Sequence, residues 1–174
     1  MSKTKQRVWQ QAASFAARYH QGQMRKDGKT PYIAHPFRVA MTVRDVFGID
    51  DAVALAAALL HDMIEDTTAD YDDLEREFGT EVARVVAALT KDMRLPEKER
   101  EAAYDRQLGT APWQARLVKL ADVYDNVSDC LDDGMRRKAV EKACRAVALS
   151  GDEPQVKAAA REVELLLGKA SRGL

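Results

Sequence analysis

Cysteine is scarce in this chain of 174 residues: Cys130 and Cys144 are the two thiols, and no CxxC pair occurs. That excludes a scaffold stapled by disulfides. Long hydrophobic runs are missing too. The longest uncharged apolar stretch, Ala52–Leu60, falls far short of the about 20 residues needed to cross a bilayer. Met1-Ser2-Lys3-Thr4-Lys5 leads into an amphipathic pattern, not a signal-peptide core. The expectation is a cytoplasmic protein without a membrane partner. Charge of one sign is absent as well: 27 basic residues meet 28 acidic ones, for a net charge of −1. This balance argues against a dedicated nucleic-acid binder, yet leaves room for a local basic patch that meets a phosphorylated small molecule. Strand-like alternation, internal repeats, low-complexity tracts and linkers do not occur.

What the sequence does contain is helical punctuation. Gly22 and Gly28 bracket a polar loop. Gly48, Gly79, Gly109, Gly134, Gly151 and Gly168 sit where helical periodicity stops, and Pro36, Pro96, Pro112 and Pro154 fall near the starts of periodic segments. The intervals read as helices near 5–21, 36–47, 52–65, 71–78, 80–91, 96–108, 112–130, 135–149 and 154–167. Val8, Ala12, Phe15, Ala16 and Tyr19 form the apolar stripe of the first, and Val82, Val85, Val86 and Leu89 that of the fifth. The expected architecture is all-α: one domain over residues 1–174, a bundle of about eight or nine helices.

Against this ordinary background His61-Asp62-Met63-Ile64-Glu65-Asp66-Thr67 stands out, because it ends the most apolar helix with a histidine and three acids. Ionised carboxylates are rarely buried without a partner or a metal. His61 and Glu65, and Asp62 and Asp66, are spaced by four, on adjoining stripes of one turn. Only three histidines occur. His35 precedes Pro36, at the expected start of a helix, where a neutral ligand is easier to keep than a charged imidazole. His20 has no comparable neighbours and reads as structural. A second acidic cluster places Asp122, Asn126 and Asp129 on one helical face beside the stripe Leu117, Leu120, Val123, Val127. Asp122 needs a counter-charge, which Lys119 or a metal can supply. His35, His61, Asp62 and Asp122 together offer two nitrogens and two carboxylates on three helices. That mixture suits manganese, or iron or zinc in vitro, with two positions left for water and a phosphate oxygen.

Histidine, then His-Asp, then a distant Asp is similar to the ligand order of the HD superfamily of metal phosphohydrolases. The likeness extends to Arg25-Lys26-Asp27, Thr30-Pro31-Tyr32-Ile33-Ala34-His35-Pro36, Ala57-Ala58-Leu59-Leu60-His61-Asp62, Glu65-Asp66-Thr67, Phe78-Gly79 and Leu117-Val118-Lys119-Leu120-Ala121-Asp122. In order and with near-family spacing from about Ala12 to Asp129, these resemble the hydrolase domain of the RelA/SpoT alarmone enzymes. The length resembles the stand-alone small alarmone hydrolases.

The resemblance implies removal of the 3′-diphosphate of guanosine tetra- and pentaphosphate, with pyrophosphate released. It assigns one manganese ion per chain to His35, His61, Asp62 and Asp122, and water activation to Glu65 and Asp66. Arg25 and Lys26 become nucleotide contacts, and Asn126 a contact to the ribose or scissile phosphate. The partner is thus a phosphorylated nucleotide. Some positions depart from the family pattern. Val123 and Asp125 replace a common basic residue and a tyrosine or histidine, Glu97 replaces a lysine with Lys98 next to it, and Lys138 and Lys142 stand where some relatives carry Arg and Tyr. The expectation is that the acids Asp125 and Glu97 weaken phosphate binding, that Lys98, Lys138 and Lys142 compensate, and that guanine is not strictly required. The alternatives are the same chemistry on an adenosine alarmone or the 2′-phosphate of NADPH, or an idle nucleotide-binding helical domain.

Overall fold

The computed structural model describes residues 3–170, with side-chain surroundings from Val8 onward. Ten α-helices run through the described residues: α1 Lys3–Tyr19, α2 Ala34–Met41, α3 Ala52–Leu60, α4 Met63–Asp66, α5 Tyr71–Phe78, α6 Thr80–Leu89, α7 Glu97–Gly109, α8 Trp113–Ser128, α9 Asp133–Ala148 and α10 Pro154–Ala170. A π-helical turn, Thr42–Val46, extends α2. The one extended pairing among the described residues is an isolated bridge between Met24 and Pro31. The all-α expectation is borne out. None of these helices is long and apolar enough to cross a membrane.

Two helices sit at the centre. α3 packs against α1, α2, α6 and α8, and α8 packs in turn against α2, α9 and α10. The sequence of α3, Ala-Val-Ala-Leu-Ala-Ala-Ala-Leu-Leu, explains its place. It carries no charge to solvate, and its alanines let neighbouring backbones come close. Ala54 through Leu60 are all buried. Asp51 starts the helix by accepting the Ala54 N–H at 2.8 Å, and Asp70 and Asp73 form a reciprocal capping box on α5. Gly79 adopts φ 83°, a left-handed value that lets α5 stop and α6 start on consecutive residues.

Two boundaries differ from the sequence expectation in ways that shape the site. The helix expected at 36–47 begins at Ala34, so His35 lies inside its first turn, and it passes into the π-turn after Met41. The continuous helix expected at 52–65 breaks at His61-Asp62, where Asp62 takes φ −96° and ψ 3°. Adjacent residues of an unbroken helix point about 100° apart and do not face each other. The break permits two neighbours to converge: Asp62 Oδ2 comes within 3.1 Å of His61 Nε2.

Candidate metal centre and its adjoining cleft

Three elements meet at the C-terminal end of α3. His61 caps α3 and is buried; its Nδ1 donates to the Ala58 carbonyl at 2.8 Å. This bond leaves Nε2 as the ring's acceptor, and that atom is buried without a hydrogen-bond partner. His35, from α2, is also buried and donates from Nδ1 to Asp125 Oδ2 at 2.7 Å, which turns its Nε2 toward the same point. Nε2 of His35 lies 3.7 Å from Asp62 Oδ2 and 3.3 Å from Asp122 Oδ1. Ligand atoms of His35, His61 and Asp62 all fall within 4.8 Å of one another. Asp122, from α8, approaches both imidazoles, reaching 3.9 Å from His61 Nε2. It stands outside that tight trio, with Oδ2 bonded to Lys119 Nζ at 2.8 Å and Oδ1 to Asn126 Nδ2 at 2.5 Å. Lys119 therefore supplies the counter-charge that a buried Asp122 requires.

The electrostatics call for positive charge at this point. Burial opposes the charged form of His35, yet Asp122, Asp125 and Asp62 outweigh it and push the imidazole up to about 9. His61 is raised as well: Asp62 prevails over burial. Burial would raise Asp62, but His61 and His35 hold it down to about 2. Asp122 is held well below the usual carboxylate range by Lys119 and His35 in spite of its burial. An unpartnered, buried imidazole nitrogen facing carboxylates fits a divalent cation with mixed N/O ligands.

Around this point lies a cavity of about 180 Å³, and a larger one of about 490 Å³ adjoins it; Arg25, Lys119, Asp122, Asn126 and Lys142 line both. Glu65 lines the smaller cavity, its Oε2 accepting the backbone N–H of Lys91 at 3.2 Å. Asp66 is not among the lining residues. It is joined to the centre through Tyr32, whose hydroxyl donates to Asp62 Oδ2 at 2.5 Å and lies 3.1 Å from Asp66 Oδ2. Lys26 and Lys138 line the larger cavity. Arg25 is braced by Asp129 at 2.8 and 3.1 Å and by Asn126 Oδ1 at 3.3 Å. The acids of that cavity are occupied: Asp27 by its own loop, Asp132 as the cap of α9, Asp122 by Lys119 and Asp129 by two arginines. Among the described residues Lys26, Lys138 and Lys142 enter no ion pair. Burial and the nearby Lys91 and Lys119 pull Lys142 down from its usual range.

Two electrostatic expectations need correction. Asp125 does not bring negative charge to the cleft: it is buried behind His35 and paired with Arg38 at 2.6 Å. Glu97 and Lys98 are exposed at the start of α7, outside the lining of both cavities, so neither weakens nor compensates there. Lys138 and Lys142 remain as the departures that line the cleft. Sequence reasoning missed Arg38, Tyr32 and Lys91, and gave Asp125 the wrong surroundings. A signal existed for the first and last, since Arg38 follows His35 by three and Asp125 follows Asp122 by three, which stacks each pair on one helix face.

A helical bundle holding a buried His, a His-Asp turn and an Asp on three elements defines the HD type of centre. The HD domain family matches residues 12–148, and the chain belongs to that family. It is 43% identical over 136 residues to human guanosine-3′,5′-bis(diphosphate) 3′-pyrophosphohydrolase MESH1, with 76% of each chain covered. The bifunctional (p)ppGpp synthase/hydrolase SpoT of Escherichia coli is 41% identical over 123 residues, which make up 67% of this chain and 17% of that protein. A solved structure of a metazoan ortholog of SpoT that hydrolyzes ppGpp superposes with a TM-score of 0.79 at 29% identity, covering 95% of this chain and 94% of that one.

Proposed function

We propose that this HD-domain hydrolase removes the 3′-diphosphate of guanosine tetra- or pentaphosphate, releasing pyrophosphate, with one manganese ion per chain. The observation that carries the reading is His61 Nε2, a buried nitrogen with no partner, aimed at the carboxylate of Asp62 beside a lysine-lined cleft. The MESH1 relatives, named for this activity and matched over three-quarters of the chain, supply the substrate class.

In this reading His35, His61, Asp62 and Asp122 hold the ion. A divalent cation bound there acidifies a water and neutralises phosphate charge. The chain's own residues do the rest. Backbone and carboxylate acceptors fix both imidazoles with Nε2 toward the centre, and Tyr32 and Lys119 keep Asp62 and Asp122 from swinging away. Glu65, inside the small cavity, orients the attacking water and takes its proton. Asp66 shares the Tyr32 hydroxyl with Asp62 and assists from one step further out. Arg25, Lys26, Lys138 and Lys142 bind the phosphates, and Asn126 bridges the Asp122 carboxylate to the substrate side.

Incubating the manganese-loaded protein with guanosine tetraphosphate tests the reading. Stoichiometric pyrophosphate is the expected product. Inert tetraphosphate, or orthophosphate released from the 2′-phosphate of NADPH in its place, would overturn it.

A further inference from the structure

Arg38 lies on α2 one turn after His35, and its planar guanidinium spans two carboxylates one turn apart, Asp125 on α8 and Asp129 at its C-cap. Nε donates to Asp125 Oδ1 at 2.6 Å, while Nη2 donates to Asp125 Oδ2 at 3.0 Å and to Asp129 Oδ2 at 2.8 Å. Each carboxylate has a second client. Asp125 Oδ2 accepts Nδ1 of His35 at 2.7 Å, and Asp129 Oδ2 accepts both Nε and Nη2 of Arg25. One continuous chain of charge-assisted hydrogen bonds therefore runs His35, Asp125, Arg38, Asp129, Arg25. It links the floor of the small cavity to a side chain that lines both cavities.

We infer that Arg38 is a positioning residue with two arms: through Asp125 it fixes the ring of His35, and through Asp129 it fixes the guanidinium of Arg25. The inference rests on the proposed function for the roles of His35 and Arg25. The physical case is that two carboxylates four residues apart on a helix repel each other unless a cation lies between them. The fork grips Asp125 through Nε and Nη2 while Nη2 also reaches Asp129, a three-bond arrangement spread over two nitrogens that the single nitrogen of an ammonium does not reproduce. With Arg38 gone, Asp125 is free to leave His35, and the ring loses the bond that holds Nδ1 as its donor and aims Nε2 inward. Asp129 likewise becomes free to draw Arg25 out of the cleft. Arg38 is partly exposed, with 38% of its side-chain surface accessible, so its replacement opens no cavity in the apolar core.

The two arms are separable by experiment. Mn²⁺ affinity of the metal-free protein is measured by titration calorimetry, and KM for guanosine tetraphosphate by turnover. Asp125→Asn should weaken Mn²⁺ binding by about 10- to 100-fold, the usual effect of losing a partner behind a ligand. Asp129→Asn should keep wild-type Mn²⁺ affinity and raise KM. Arg38→Ala should show both losses, and Arg38→Lys should recover at most one. Wild-type Mn²⁺ affinity and KM in Arg38→Ala would overturn the inference. So would the same loss of both quantities in all the variants, accompanied by a common fall in Tm, because a merely structural role predicts no split. A wild-type protein that binds Mn²⁺ at His35 but leaves every 3′-diphosphate nucleotide intact refutes the proposed activity. The Asp125 arm then still stands or falls on Mn²⁺ affinity alone.

Discussion

At the α3–α8 end of the cleft, His35, Asp62, Asp122 and Asp125 are each tied to named partners, and His61 Nε2 is the atom left without one. At the α9 end the situation is reversed: Lys138 and Lys142 face a cavity of about 490 Å³ and enter no ion pair among the described residues. The first end is buried and over-determined, the second open and adaptable. Bond-making chemistry needs side chains held within a fraction of an ångström, which only locked rotamers and backing hydrogen bonds provide. Phosphate recognition needs charge more than angle, and lysine's flexible stem supplies it. Substitutions at the first end should thus strike cation binding and kcat, and those at the second should strike KM.

The largest effect is expected for Asp62→Ala, which removes a carboxylate held between His61 and Tyr32. Both Mn²⁺ retention, read by elemental analysis, and hydrolysis should be lost. Glu65→Gln comes next. It should keep the ion but slow turnover by at least the ~10²-fold typical of losing a general base, whereas Asp66→Asn, acting through Tyr32 from outside the cavity lining, should slow it less. Mn²⁺ loss in the Glu65 variant would move that residue into the ligand set.

Proton competition sharpens the contrast between the ends. With His35 pushed up to about 9, the imidazole must shed a proton before it can ligate. Mn²⁺ affinity should therefore climb with pH through the neutral range and level off above about 9. The same raised value means that, in metal-free protein, the stabilising contribution of His35 is fully present below about 6.5. It is lost as pH rises through about 9. Denaturant midpoints at a series of pH values, with and without Mn²⁺, check both statements, and a flat affinity profile would contradict the first.

The smallest effects belong to the open end. Lys138→Ala and Arg25→Ala should raise KM for a 3′-diphosphate nucleotide more than they lower kcat, each by roughly tenfold, the equivalent of about 1.4 kcal/mol. A kcat loss with unchanged KM in either variant would erase the distinction between the two ends.

The same division governs what the sequence reveals. Helix existence was legible because glycines, prolines and apolar stripes punctuate the chain at helical intervals, and the acids at the end of so apolar a helix as α3 demanded a partner. The break at His61-Asp62 was not legible: Met63 and Ile64 continue the apolar pattern, so periodicity alone carries the helix to Glu65. Asp125 reads as an acid facing the cleft because spacing along one helix places it near the face of Asp122 but cannot show that its partner, Arg38, comes from α2. Asp66 and Glu65 looked equivalent for a related reason. The short α4 and the position of Tyr32, which separate them, are products of tertiary packing.

The central claim is that the buried end holds one cation at a fixed point. Crystals grown with Mn²⁺ and measured at the manganese absorption edge test it most directly. The account predicts a single anomalous peak per chain within coordination distance of His35 Nε2, His61 Nε2 and one oxygen each of Asp62 and Asp122. A peak elsewhere in the cleft, or no peak beside His61 Nε2 at saturating Mn²⁺, would contradict it.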